Sequence, residues 1–188
     1  RTWPVAHTFL VDVVEPTRTP QALKSYKGLV DRWWQFWNHR ADQMRRLRKQ
    51  PQCIAFCKVA KYPVCMRAPT EWIYTNKVIL VEDARSDLLA ICLSSPFRDW
   101  VSRFSLQSLG GDNNTLSLSI TEAFSTFPQP ITTTSEAGID AAAKFQEVLT
   151  SWSKANRKGM TDAMNAVNSP AATEDAIQEL RHLLEKVD

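Results

Sequence analysis

Residues Arg40 to Arg67 read RADQMRRLRKQPQCIAFCKVAKYPVCMR. The reading of this stretch decides the fold. Its first part is rich in helix formers and ends at Pro51, which cannot continue a helix. Its second part is apolar and β-branched, with a short Lys61-Tyr62-Pro63 link inside it. Two strands, over 52–60 and 63–68, follow from that pattern, and so short a link favours an antiparallel pair. Cys53, Ala55, Cys57 and Val59 would share one face, and Ile54 and Phe56 the other. The stretch carries eight Lys and Arg against one acid, a charge of +7 in a chain whose total is +3, so the other residues sum to −4. A cationic helix leading into a rigid strand pair can hold a polyanion; a solvated helix face accounts for the same charge.

Upstream, Trp34, Trp37, Ala41 and Met44 recur at spacings of three and four. This predicts a helix over 31–50, interrupted near Asn38. The Trp33-Trp34-Gln35-Phe36-Trp37 cluster is either core or a platform on which bases stack. Residues 1–30 read as irregular, with one strand at Phe9–Val14 bounded by Glu15-Pro16. Downstream, Lys77–Glu82 is apolar on both faces and reads as a central strand. Arg85–Leu93 reads as a helix. Ser95-Pro96 opens another, with Phe97, Trp100, Val101 and Phe104 on one stripe. Gly110–Asn114 is a loop, and Leu116, Leu118 and Ile120 alternate as a half-buried strand. After Pro130 the pattern is helical, with stripes Phe145-Val148-Leu149-Trp152 and Ile177-Leu180-Leu184-Val187. The fold class is therefore α+β: a small mixed or antiparallel sheet with packed helices, then a C-terminal helical pair. The expected divisions are 1–30 (irregular segment), 31–130 (α+β body) and 131–188 (helical tail).

The 188 residues are 44% hydrophobic and contain seven Trp, enough for a core and too apolar for a disordered chain. No run of about 18 apolar residues is present, so no membrane span is expected. The four Cys lack paired C-x-x-C spacing and read as buried reduced thiols in a reducing, cytoplasmic compartment. His7, His39 and His182 lie at no metal-ligand spacing. The five Gly form no phosphate-cradling loop, and no nucleophile elbow is present.

Three stretches extend the reading: Leu93-Ser94-Ser95-Pro96-Phe97-Arg98-Asp99-Trp100, then Ser119 to Pro130 with its Phe124-Ser125-Thr126-Phe127-Pro128-Gln129-Pro130, then Ile177 to Asp188 with its Leu180-Arg181. In this order they resemble the C-terminal half of large adenine-specific DNA methyltransferases of the type IIG restriction–modification and phage-defence kind, including DISARM- and BREX-like methylases. Trp33-Trp34-Gln35-Phe36 before a basic helix is similar to that family's run-in. The resemblance covers about residues 30–188 and implies a target-recognition domain that reads double-stranded DNA in a prokaryotic cytoplasm. It implies S-adenosylmethionine and an Asn-Pro-Pro-Tyr-type catalytic motif in an upstream methyltransferase domain of the same polypeptide. This chain holds no Pro-Pro pair and no glycine-rich donor loop, so no cofactor is expected in it. A fragment cut at both ends, or a free-standing recognition subunit, would account for that.

On this reading the phosphate-binding candidates are Arg40, Arg45, Arg46, Arg48, Lys49, Lys58, Lys61 and Arg67. Arg103, Asn113 and Asn114 are candidates for base reading, because Arg pairs with guanine and Asn with adenine through two hydrogen bonds. The Gly110–Asn114 segment is more simply explained as an ordinary turn, where Asn and Gly are the favoured residues. The alternative function is a structural or protein-interaction module without direct DNA readout.

Overall fold

The computed structural model describes residues 3–25, 27–35, 40–107, 115–128 and 134–188. They divide into two compact units, 1–46 and 47–188.

The first unit is helical. Helix α1 (Pro4–Phe9) runs through a π-helical turn (Leu10–Val14) into α2 (Glu15–Ser25), and a 3-10 turn spans Lys27–Leu29. The strand expected at Phe9–Val14 is thus helical. A lone strand leaves its backbone groups unpaired, whereas a helical turn satisfies them locally, and the described strands all begin at residue 52 or later. The wide turn closes with Glu15 N–H donating to Leu10 O. It directly precedes Pro16, which has no N–H to offer the carbonyl four residues back. The helix expected over 31–50 is much shorter. Residues 31–34 form turns, with Trp34 56% exposed and edge-on to Trp33 at 5.8 Å. Helix α3 begins only at Ala41 and ends at Leu47. Arg40, at φ 44°, marks the break before it, and its carbonyl accepts the N–H of Met44. Phe36, Trp37 and His39 lie outside the described residues.

The second unit is α+β. Strand β1 (Gln52–Cys57) pairs antiparallel with β3 (Cys65–Pro69), Phe56 opposite Cys65 and Gln52 opposite Pro69; the strand expected over 52–60 ends at Cys57, because Val59 and Ala60 pair in a second sheet. It also pairs antiparallel with β4 (Val78–Val81), Cys57 opposite Val78. The order is β3-β1-β4, so the central strand is β1 and not the one expected at Lys77–Glu82. The burial agrees: Cys53 to Phe56 are all buried, while β4 is mostly half-buried. A second antiparallel sheet has the order β2 (Val59–Ala60), β6 (Leu116–Ser117), β5 (Leu106–Gln107). Lys58 joins the two sheets through its backbone. Its N–H donates to Lys77 O at 2.8 Å and its carbonyl accepts from Leu118 N at 2.8 Å. Ile120 leaves the expected strand because Ser119 caps a π-helical turn (Ile120–Phe124), its hydroxyl accepting the N–H of Glu122. The S-x-x-E signature of that cap is present in the sequence.

Helices α4 (Ser86–Leu93), α5 (Ser95–Phe104), α6 (Glu136–Asn156), α7 (Met160–Val167) and α8 (Asp175–Val187) complete the unit. The C-terminal region thus holds three helices rather than a pair. Its stripes at Phe145-Leu149-Trp152 and Ile177-Leu180-Leu184 are buried in the same core as Ile54, Phe56 and Phe97. Helix α5 is the hub. Phe97 is ringed by Phe56, Phe124 and Phe127 at 5.9, 5.7 and 5.0 Å. Trp100 is half-buried, its Nε1–H donating to Ala123 O at 3.1 Å. Asp188 accepts the Ser95 N–H at 2.6 Å and the Ser95 hydroxyl at 2.7 Å, satisfying an N–H that the helix itself leaves unpaired. Asp188→Ala should therefore cost about 1 kcal/mol in urea denaturation, as for a lost helix cap.

Candidate nucleic-acid interface

The basic side chains are divided between the two units. Arg40, Arg45 and Arg46 belong to the first unit and are exposed, with Arg45 paired to Asp42 at 2.8 Å on the α3 surface. Arg48 and Lys49 are exposed in the second unit, just before the start of β1. Lys58 and Lys61 are exposed beyond the other end of β1, flanking β2, with Lys61 Nζ 5.4 Å from the Tyr62 ring centre. Arg103 is exposed three residues before β5, which lies two places from β2 in the same sheet. The strand between these groups is extended by about 3.3 Å per residue, which is why charges close in sequence sit apart in space.

Arg67 differs from the rest. It is half-buried in β3, its Nε donating to Ala84 O at 3.0 Å and its Nη2 to Ser86 Oγ at 2.7 Å. Its backbone N–H donates to Gln146 Oε1. This guanidinium ties β3 to the approach to α4, so Arg67 is left out of the interface proposed below. Asn113 and Asn114 lie outside the described residues.

Sequence reasoning passed over residues 70–76, Thr-Glu-Trp-Ile-Tyr-Thr-Asn, which with Lys77 join β3 to β4. This segment leaves β3 at the start of β1 and enters β4 beyond its end, so it travels the length of the sheet. Tyr74 anchors it, its hydroxyl donating to Pro69 O at 2.6 Å and lying against Cys53. Trp72 is 54% and Ile73 88% exposed. The signal available was two large apolar residues between the turn-forming Pro69-Thr70 and Thr75-Asn76.

All four thiols are free, with Cys53, Cys65 and Cys92 buried and Cys57 half-buried. Burial pushes the Cys53 thiol up, partly offset by the Tyr74 hydrogen bond, and raises Cys57 as well. Cys65 is raised well above the ordinary 9.0 by burial, then by the adjacent Cys92. A raised folded value means that the unfolded thiol ionises first. The associated stability is therefore whole below about pH 9 and is lost as pH climbs through the folded values. The melting temperature should be flat from pH 7 to 8.5 and fall by pH 10. Thiol reagents at pH 8 should label native Cys53 and Cys65 far more slowly than the urea-unfolded chain.

Among the described residues, no group of three or more His, Cys, Asp or Glu could hold a metal ion, and no helix is long and apolar enough to cross a membrane. The chain matches no family model, no curated protein and no solved structure.

Proposed function

We propose that this chain is the target-recognition region of a site-specific adenine-N6 DNA methyltransferase of a restriction–modification or phage-defence system, holding duplex DNA and reading its sequence. One observation carries the reading. The three stretches that resemble such enzymes are separated in sequence yet adjoin around α5. Trp100 of the first donates to Ala123 of the second, and Ser95 of the first is bonded to Asp188 of the third. Exposed Arg48, Lys49, Lys58, Lys61 and Arg103 on the same unit supply the cations that phosphates require.

In such an enzyme the upstream domain, with S-adenosylmethionine, flips and methylates the adenine. This chain's part is positioning through phosphates and specification through base edges. Incubating the purified chain with a random duplex pool at low salt, then sequencing the bound fraction, tests the reading. Enrichment of a defined site is expected; a bound fraction as random as the input would overturn it.

The interaction-module reading has support of its own in the first unit. Trp3, Val5, Phe9 and Val13 of its N-terminal helical run are exposed. A surface of this kind suits a protein partner, such as the upstream domain of the same polypeptide. Failure of the chain to bind any duplex at low salt would leave this as the better account.

A further inference from the structure

The second unit carries an exposed apolar pair, Trp72 and Ile73, on a loop each of whose ends lies beside exposed cations. Thr70 joins the tip to one group: its hydroxyl donates to Gln50 O and its N–H to Pro51 O. Arg48 and Lys49 thus lie within two residues of the Thr70–Gln50 hydrogen bond on one side, and Trp72 two residues away on the other. The far end of the same loop is held by the Lys58 N–H on Lys77 O, which brings two further exposed lysines together. Strand β1, six residues long, separates the two ends by about 20 Å. That length corresponds to about six base pairs of duplex at roughly 3.4 Å of rise each.

The tip is built to stay exposed. Trp72 stacks obliquely on Tyr74 at 6.3 Å, and Tyr74 is tethered to Pro69. The Trp72 N–H closes a turn on Pro69 O, and Val78 N–H closes another on Thr75 O. Glu71 is the one acid in the segment. Leaving a Trp and an Ile in water on an anchored loop forgoes burial that either side chain could gain in a core.

We propose that Trp72 and Ile73 form a prong that packs against base and sugar faces of bound duplex DNA, beside phosphates held by Arg48 and Lys49, while Lys58 and Lys77 hold phosphates at the other end of the loop. The inference rests on the DNA-binding reading above and adds to it the residues that make non-ionic contact. Apolar side chains that wedge against base steps, flanked by cations on the backbone, are a general mode of duplex binding. A protein partner is the competing occupant of the tip.

The two contact types separate by salt. Phosphate contacts set the slope of log K against log salt, whereas apolar contacts shift log K equally at all salt concentrations. Fluorescence anisotropy with a labelled duplex should therefore show wild-type binding. Trp72→Ala should bind roughly ten- to a hundredfold more weakly with the slope unchanged, the loss expected for an aromatic–base contact, and Trp72→Phe should recover part of it. Lys49→Ala should instead flatten the slope by about 1. Ile73→Ser, at the most exposed position of the tip, provides a variant whose folding is not at issue. Wild-type binding with unchanged affinity in both Trp72→Ala and Ile73→Ser would overturn the prong, assign the tip to a protein partner and leave the DNA reading standing. No binding by wild type at low salt would overturn the DNA reading and the prong together.

Discussion

Arg181→Ala should destabilise the protein by about 3–4 kcal/mol in chemical denaturation, and Arg181→Lys should recover only part of that loss. The Arg181 guanidinium closes the end of α7. Its Nε donates to Val167 O at 2.7 Å, its Nη1 to Ala172 O at 3.0 Å, and its Nη2 to Ala166 O at 3.1 Å and Ser169 O at 2.5 Å. These carbonyls belong to the last helical turn of α7 and the loop after it; Ala166 O and Ser169 O also accept the Ser169 and Ala172 N–H groups, so the guanidinium is a second donor there. Hydrogen bonds to a charged group contribute about 1.5–3 kcal/mol each in isolation, and a shared donor group yields less than their sum. Lysine offers a compact ammonium in place of a planar fork and cannot reach four carbonyls at once. A loss under 1 kcal/mol for Arg181→Ala would mean that water replaces the guanidinium without cost.

Phe97→Ala should cost about 3–5 kcal/mol, the range for a buried large aromatic truncated to alanine. Phe97 is 3% exposed and meets three other rings, with Phe56 also edge-on to Phe124 at 5.4 Å. The cavity would open where the sheet, α5 and the Ile120–Phe124 turn converge, so these elements could not close it without separating from one another. Trp100→Phe, by contrast, keeps most of the ring contact with Phe104 and Phe127 and loses the bond to Ala123 O. A cost of about 1 kcal/mol is expected there. Thermal melts of the two variants should differ accordingly; equal melts would contradict the placement of Phe97 at the centre of the cluster.

The parts of this fold that were legible in the sequence are those whose pattern is local. The antiparallel β1–β3 pair followed from an apolar run and a proline, although the connection is longer than expected and carries β2. Helices α4 and α5 followed from their stripes and from Pro96. Three kinds of feature were hidden. Strand order depends on partners distant in sequence, and an edge strand such as β4 carries the same apolar letters as a central one. The N-terminal β-branched run, Val11-Asp12-Val13-Val14, has strand propensity, but propensity yields where no partner strand is at hand. Caps made by distant side chains, such as Asp188 on Ser95 or Arg181 on the α7 carbonyls, leave no local signature. Helix α7 was readable and was passed over: Met160, Ala163, Met164 and Val167 follow helical spacing, and Asp162 caps it by accepting the Gly159 N–H.

The candidate interface shows the same limits. Charge is visible in sequence, and the structure leaves Arg48, Lys49, Lys58, Lys61 and Arg103 exposed. Whether a given Arg faces solvent or its own backbone is not visible, and Arg67 and Arg181 both turned inward. Residues 70–76 escaped notice because a crossing loop has no periodicity to detect. Its meaning rests on which strand ends it joins and which two side chains it leaves in water.

Binding of the chain to a duplex across a salt series tests the central claim most directly. Phosphate contacts from the five exposed cations Arg48, Lys49, Lys58, Lys61 and Arg103 predict a slope of log K against log salt of about −4 to −5, with measurable affinity at 50 mM salt. A slope near zero, or no binding at the lowest salt, would contradict the account.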